Sequence, residues 1–132
     1  MPRETPLPSD AEWKVLNALW RGHPAPARTL LERLADEDWA YNTLKTMLVR
    51  MQEKGLVRAE LRGQTTWFEP AIEQRAAQRN AVRRMVERVF EGASGPLLAQ
   101  LAEDQHLGAS ERKQLEGWIA ALERKEKKRG RR

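Results

Sequence analysis

Residues 40–54 combine polar and basic side chains at the spacing of one helix face. With about 100° between successive residues, an apolar face forms from Leu44, Met47, Leu48 and Met51. The opposite face presents Asn42, Thr46, Val49 and Glu53, flanked by Lys45 and Arg50. Asparagine pairs with adenine, threonine and valine contact the thymine methyl group, and lysine or arginine binds guanine or phosphate. The pattern is typical of a DNA-reading helix, but a solvated helix face has the same residue types, so both interpretations stay open.

A second group of candidate contacts lies around Gly63, between two short β-rich runs. Residues 56–61 and 65–69 predict the strands of a small hairpin that Pro70 ends. Because glycine lets the tip of a hairpin approach another molecule closely, Arg62 and Gln64 are candidate contacts to phosphate groups. A solvated turn would carry the same residues.

Three helices are predicted before this hairpin. Ser9 and Glu12 have the spacing of a capping box, which begins a helix, and Gly22 ends that helix. A short second helix carries Leu30 and Leu34 on one side, and the third is the stretch at 40–54, ended by glycine at position 55. Three helices followed by a two-stranded hairpin is the order of a winged helix-turn-helix, whose third helix enters the DNA major groove.

The second half of the chain predicts three further helices, each with an apolar side. The first runs from about residue 72 to Gly92, the second starts near Pro96, and Ser110 caps the third. About 50 residues of short helices bury too little surface to fold alone, so we expect a homodimer. The expected dimerisation residues are Leu97, Leu98, Leu101, Leu115, Trp118, Ile119 and Leu122.

The fold class expected from these elements is mostly α with a small β-hairpin wing. A winged helix-turn-helix domain is followed by a helical dimerisation domain. The predicted segments are an N-terminal arm (1–8), a DNA-binding domain (9–71), a dimerisation domain (72–122) and a basic tail (123–132). The net charge of +5 lies entirely in the tail, because acidic and basic residues balance before it. Such a tail attracts polyanions without sequence preference, although a solvated end that only aids solubility would have the same composition.

The composition excludes several other classes of protein. The chain has no cysteine, and no serine stands near either of its two histidines, His23 and His106. The sequence also contains no glycine-rich loop of the kind that binds phosphate. We therefore expect no enzyme activity, no metal site and no cofactor. No apolar run approaches the roughly 20 residues that cross a bilayer, and the N-terminus has no signal-peptide core, which predicts a cytoplasmic protein. The alternative function is a non-catalytic protein-interaction or RNA-binding module, for which the sequence lacks an aromatic stacking platform.

Two segments resemble a known family of regulators. The run SDAEWKVLNALW at 9–20 and the run WAYNTLKTMLVRM at 39–51, followed by Lys54-Gly55, resemble the penicillinase-repressor (BlaI/MecI/CopY) family. The motifs of this family are S-x-A-E-W-x-V-M and W-S-x-x-T-[IV]-[KR]-T-L-x-x-R-L-x-x-K-G. The resemblance implies a winged-helix homodimer that represses an operon, such as one for β-lactam resistance or a stress response, by binding a palindromic double-stranded DNA operator.

The resemblance also assigns roles to single residues. It implies DNA contacts from the recognition helix. Asn42 and Glu53 stand at positions that are often lysine in relatives. Ala40 replaces a serine that caps the helix, and the loss of this cap lowers the stability of the helix by about 1 kcal/mol. Some relatives are inactivated when a membrane-bound sensor protease cuts an Asn-Phe pair, and the aligned pair here is Gln100-Leu101. The copper-responsive branch uses C-terminal cysteines, which this chain lacks. The DNA-contacting positions implied are Thr43, Lys45, Thr46 and Arg50.

Overall fold

The computed structural model describes residues 6–104 and 108–129. Six helices and three strands make up this part of the chain, with a short 3-10 turn at Ala35–Glu37. The prediction of a mostly helical protein with a small hairpin wing is confirmed. In chain order the elements are α1 (Asp10–Arg21), β1 (Ala25–Pro26), α2 (Ala27–Arg33), α3 (Tyr41–Glu53), β2 (Val57–Arg62), β3 (Thr65–Pro70), α4 (Gln74–Val89), α5 (Ser94–Asp104) and α6 (Ala109–Arg129).

Local sequence explains where α1 begins and where α3 ends. The Ser9 hydroxyl accepts the backbone N–H of Glu12 at 3.2 Å, and the Glu12 carboxylate accepts the N–H of Ser9 at 2.8 Å, so the predicted capping box is confirmed. At the end of α3, Gly55 has a φ of +79°, which favours glycine. The N–H of Leu56 then reaches the carbonyl of Met51 at 2.8 Å, as in a Schellman motif.

The sheet has one strand more than the predicted hairpin. β2 and β3 pair antiparallel, as expected, but β1 also pairs with β3, which makes the strand order β1-β3-β2. Ala25 lies opposite Phe68, and Pro26 lies opposite Trp67. The expectation of two strands was therefore incomplete, because a two-residue strand that contains proline has no periodicity to detect. This short edge strand connects α1 to α2.

The first three helices and the sheet enclose one apolar core. Trp39 and Tyr41 are partly buried and pack against this core. Since the core holds the inward face of α3, it determines which residues of that helix remain at the surface. The largest fully buried side chains are Val15, Leu16, Leu19, Leu30, Leu44, Leu48, Met51 and Leu56.

The chain divides into two compact units, Met1–Ala81 and Val82–Arg132. The second contains the end of α4, together with α5 and α6, which contact each other. Helix α6 continues to Arg129, so it extends into the predicted basic tail at 123–132. His106 lies outside the described residues. None of the described helices is long and apolar enough to span a bilayer.

Candidate nucleic-acid interface

Helix α3 has two distinct faces. Leu44, Leu48 and Met51 are fully buried, and Met47 packs partly against the core. Asn42, Thr46 and Glu53 are exposed, as are the flanking basic residues, and Val49 is 53% exposed. The orientation predicted from the helical period is thus confirmed for the whole outward face. The residues of α3 at the surface are Asn42, Thr43, Lys45, Thr46, Val49, Arg50, Gln52 and Glu53.

The first turn of α3 has no side-chain cap. Ala40 occupies the N-cap position with φ −70° and ψ 152°, the extended geometry that a capping residue adopts, but its methyl group accepts no hydrogen bond. The backbone is therefore already arranged for a capping serine or threonine. The missing cap inferred from the family motif is confirmed.

An open cleft of about 630 Å³ lies between the first turn of α1 and the outward face of α3. Four of the predicted DNA-contacting residues line it, whereas Lys45 lies outside its lining. The structure thus places the hydroxyl, amide and guanidinium groups of α3 along one surface with the start of α1. The lining residues are Ser9, Ala11, Glu12, Asn42, Thr43, Thr46, Met47, Arg50 and Lys54.

A buried carboxylate closes one side of this cleft. The Lys54 ammonium donates to both oxygens of Glu12, at 2.8 and 3.0 Å, while the Glu12 side chain is only 5% exposed. Burial by itself raises the pKa of the Glu12 carboxyl, but the hydrogen bonds and charge of Lys54, together with the hydrogen bonds from Ser9, outweigh it and lower the pKa from 4.5. Glu12 is therefore ionised at neutral pH and ties α1 to the end of α3.

The ring of Tyr41, the first residue of α3, lies beneath two cations. The guanidinium carbon of Arg28 is 4.6 Å from the ring centroid, and the ammonium of Lys45 is 5.5 Å from it. Both distances are within the range of cation–π interactions. Arg28 is exposed in the first turn of α2 and was not among the contacts predicted from the sequence.

The wing carries the two predicted phosphate contacts at its tip. Arg62 ends β2 and Gln64 belongs to the two-residue loop, whose Gly63 has a φ of +63°, as a type II′ turn requires. The Arg62 guanidinium donates to a carboxylate oxygen of Glu60 at 3.2 Å. Gln64 is exposed. Neither predicted residue lines the cleft beside α3.

The predicted dimerisation residues differ in their exposure. Leu101 is 39% exposed, Leu97 and Leu98 are half-buried, and Leu115 is buried within the single chain. The side chains of Trp118, Ile119 and Leu122 lie outside the described residues. Among the described residues of this half, three apolar residues of α4 are also exposed: Val82, Met85 and Val89, at 49, 39 and 66%. Their helical spacing was visible in the sequence, yet they were not chosen as contacts.

The remaining predicted positions are the aligned cleavage pair and the histidines. Gln100 and Leu101, the aligned cleavage pair, lie inside α5. His23 is exposed. In the described part of the chain, no three histidine or acidic residues converge as metal ligands.

Three helices, a hairpin wing and an exposed polar third helix define a winged-helix DNA-binding protein. Residues 8–121 match the family described as penicillinase repressor, and the chain therefore belongs to the penicillinase repressor family. This family consists of DNA-binding transcriptional repressors.

Individual relatives are distant in sequence but similar in length. The methicillin resistance regulatory protein MecI of Staphylococcus aureus (strain N315) is 23% identical over 108 residues, which cover 81% of this chain and 88% of MecI. The penicillinase repressor of Bacillus licheniformis is 22% identical over 110 residues, covering 83% and 86%. A solved structure of the monomeric form of Bacillus licheniformis BlaI in complex with the blaP half-operator is 26% identical, covers 54% of this chain and 88% of that chain, and has a TM-score of 0.48.

Proposed function

We propose that this repressor is a homodimer that recognises a palindromic operator by placing α3 of each subunit in the major groove. The observation that carries the proposal is the exposure of every polar and basic residue on the outward face of α3, while its apolar face is held in the core. A helix fixed in this way presents its side chains to base edges without reorganising the domain.

The side chains of α3 divide into two roles. Asn42 and Thr46 have the groups that distinguish base pairs, since an amide pairs with adenine and a threonine methyl contacts thymine. Thr43, Lys45 and Arg50 supply hydroxyl and cationic groups for phosphates or guanine. Each good base contact contributes about 1–3 kcal/mol of discrimination.

The wing supplies contacts to the DNA backbone beside the groove. Arg62 pairs with Glu60 in the free protein, but both side chains are more than half exposed, at 53 and 68%. Surface ion pairs of this kind contribute about 0–1 kcal/mol, so a phosphate oxygen can replace the Glu60 carboxylate at little cost. Gln64 is separated from Arg62 only by Gly63 at the tip of the wing and offers an amide donor to the same DNA strand.

Dimerisation uses the apolar residues that the second unit leaves at the surface. Val82, Met85 and Val89 recur at the spacing of one face of α4, and Leu101 is exposed on α5. A second copy of the chain covers these side chains, together with Trp118, Ile119 and Leu122 of α6. Two-fold symmetry of such a dimer matches a palindromic operator.

The names of two relatives suggest which genes are regulated. MecI is named a methicillin resistance regulator and the Bacillus protein a penicillinase repressor. Genes for β-lactam resistance or a related stress response are accordingly the proposed targets, with the repressor acting in the cytoplasm, where the DNA is. A membrane-bound sensor protease is the proposed inducer, and cleavage at Gln100-Leu101 requires α5 to open locally.

An electrophoretic shift experiment tests this function. The probe is the duplex upstream of the protein's own gene, and the competitors are scrambled duplex of the same length and single-stranded RNA. We expect the upstream duplex to bind at least about a thousandfold more tightly than scrambled duplex at physiological salt. Equal affinity for all three nucleic acids contradicts operator recognition, and preference for RNA supports the RNA-binding alternative.

A further inference from the structure

Most cations of the winged-helix domain are engaged within the protein. Four form ion pairs with carboxylates, and Arg33 donates to the carbonyls of Ala18 and Gly22. Among the described residues from 6 to 70, four of the nine lysines and arginines therefore have no hydrogen bond or ion pair, and three of these four belong to α2 and α3. The four ion-paired cations are Lys14, Lys54, Arg58 and Arg62. Those without such partners are Arg21, Arg28, Lys45 and Arg50.

Arg28 and Lys45 are further distinguished by their shared contact with Tyr41. The ring of Tyr41 packs against the core, so it is a fixed surface against which two otherwise mobile side chains lie. This contact restricts the side-chain freedom of both cations before any ligand binds, which lowers the entropy cost of binding. It also brings two like charges to one ring, and neither cation forms an ion pair with a carboxylate. An anion close to both cations removes this repulsion.

We propose that Arg28 contacts a phosphate of the DNA backbone, and that Tyr41 is a positioning residue that holds Arg28 and Lys45 for this contact. The inference rests on the proposed function, because it assigns the anion to the duplex that α3 reads. Arg28 is the second residue of α2, and the helix before the recognition helix crosses the DNA backbone in helix-turn-helix proteins. A contact at this position sets the register of α3 and carries no sequence information of its own.

The test measures the affinity of the full chain for two duplexes, the fragment upstream of its own gene and a random sequence of equal length, over a range of salt concentrations. Arg28→Ala should weaken binding to both duplexes by about five- to tenfold and reduce the slope of log K against log salt by about one per subunit. Arg21→Ala is the matched control, because it removes an exposed arginine without such partners from the end of α1. It should leave affinity and slope unchanged.

Substitutions of Tyr41 separate positioning from folding. Tyr41→Phe keeps the ring and should bind DNA as the wild type does. Tyr41→Leu keeps apolar packing but removes the ring, and it should weaken binding to both duplexes. In the Tyr41→Leu background, Arg28→Ala should reduce DNA affinity less than it does in the wild type, since the two residues act together. Urea unfolding of each variant verifies that the domain remains folded.

The outcomes distinguish this inference from operator recognition. If Arg28→Ala behaves like Arg21→Ala while the wild type still prefers the upstream fragment, the phosphate contact is overturned and the proposed function stands. If the wild type binds both duplexes equally but Arg28→Ala weakens both, operator recognition fails and the phosphate contact is supported. Absence of binding to either duplex overturns both.

Discussion

The Lys54 ammonium lies 2.8 Å from one oxygen of the Glu12 carboxylate and 3.0 Å from the other, although the two residues are 42 positions apart in the chain. The pair connects the first turn of α1 to the residue that follows α3. It therefore helps to fix the position of α3 relative to α1. Because Glu12 also caps α1 through Ser9, one carboxylate stabilises both a helix end and a contact between two helices.

We expect part of the stability of the protein to depend on the ionisation of Glu12. Its pKa is lower in the folded chain than the ordinary value of 4.5, so the unfolded chain binds the proton first as the pH falls. The stabilisation is complete above pH 4.5 and is lost as the pH drops through the folded pKa. Urea unfolding between pH 7 and pH 3.5 measures this loss, which Glu12→Gln should remove from the profile.

The same variant tests the ion pair at neutral pH. Glu12→Gln should destabilise the protein by about 1–3 kcal/mol, because a nearly buried acceptor of a charged hydrogen bond is lost. Glu37→Gln is the control: it breaks the surface pair with Lys14, whose side chain is 49% exposed, and should change stability by less than about 1 kcal/mol. Equal effects of the two variants would contradict a special role for Glu12.

Restoring a cap to α3 should stabilise the protein. Ala40 already has the extended backbone of an N-cap residue, so Ala40→Ser should add a hydrogen bond to the first turn and contribute about 1 kcal/mol. The shift in the urea midpoint measures the gain. Ala40→Val adds volume without an acceptor and should give no gain in stability. A serine variant no more stable than the valine variant would show that the N–H groups in the first turn of α3 have another partner.

Base contacts and phosphate contacts on α3 should respond differently to alanine. Thr46→Ala should reduce the preference for operator over scrambled DNA, by about 1–3 kcal/mol if a base contact is lost. Arg50→Ala should weaken binding to both duplexes if Arg50 binds phosphate. Gln52→Ala, an exposed position on the same helix, is the control. Equal losses on both duplexes from Thr46→Ala would show that Thr46 touches no base.

Charged substitutions on α4 should separate the subunits without unfolding them. Val89 is 66% exposed and Met85 is 39% exposed, so glutamate at both positions should disrupt the proposed dimer contact and not the core. Sedimentation at micromolar concentration should then show monomers. Gln78→Glu places the same charge at an exposed polar position of α4 and should leave the dimer intact. Leu115 is unsuitable for this test because it is buried within one chain.

Truncation after Leu122 should reduce binding to random DNA. The deleted segment carries seven cations and two anions, and each neutralised phosphate contributes about −0.9 to the salt slope on duplex DNA. We expect a flatter slope with an unchanged or improved operator preference. Glutamine at Lys125, Lys127 and Lys128 removes charge without shortening the chain and should act in the same direction. An unchanged slope would leave solubility as the role of the segment.

The sequence by itself determined the features that depend on local interactions. The capping box at Ser9, the end of α3 at Gly55 and the outward orientation of Asn42 and Thr46 follow from helical period and short-range hydrogen bonds, and all were predicted correctly. The same local signals identified the hairpin and the glycine at its tip. They were sufficient for the fold class and for the exposed face of α3, whose DNA contacts stay a prediction.

Only the tertiary structure decided which distant residues meet. The pairing of Ala25 with Phe68, the bond between Lys54 and Glu12, and the contact of Arg28 with Tyr41 join segments far apart in the chain. No periodicity encodes such contacts, because they form only when several elements pack around a common core. Packing also determined exposure: it buried Leu115 and left the apolar side chains of α4 at the surface, a distinction that side-chain type alone does not make.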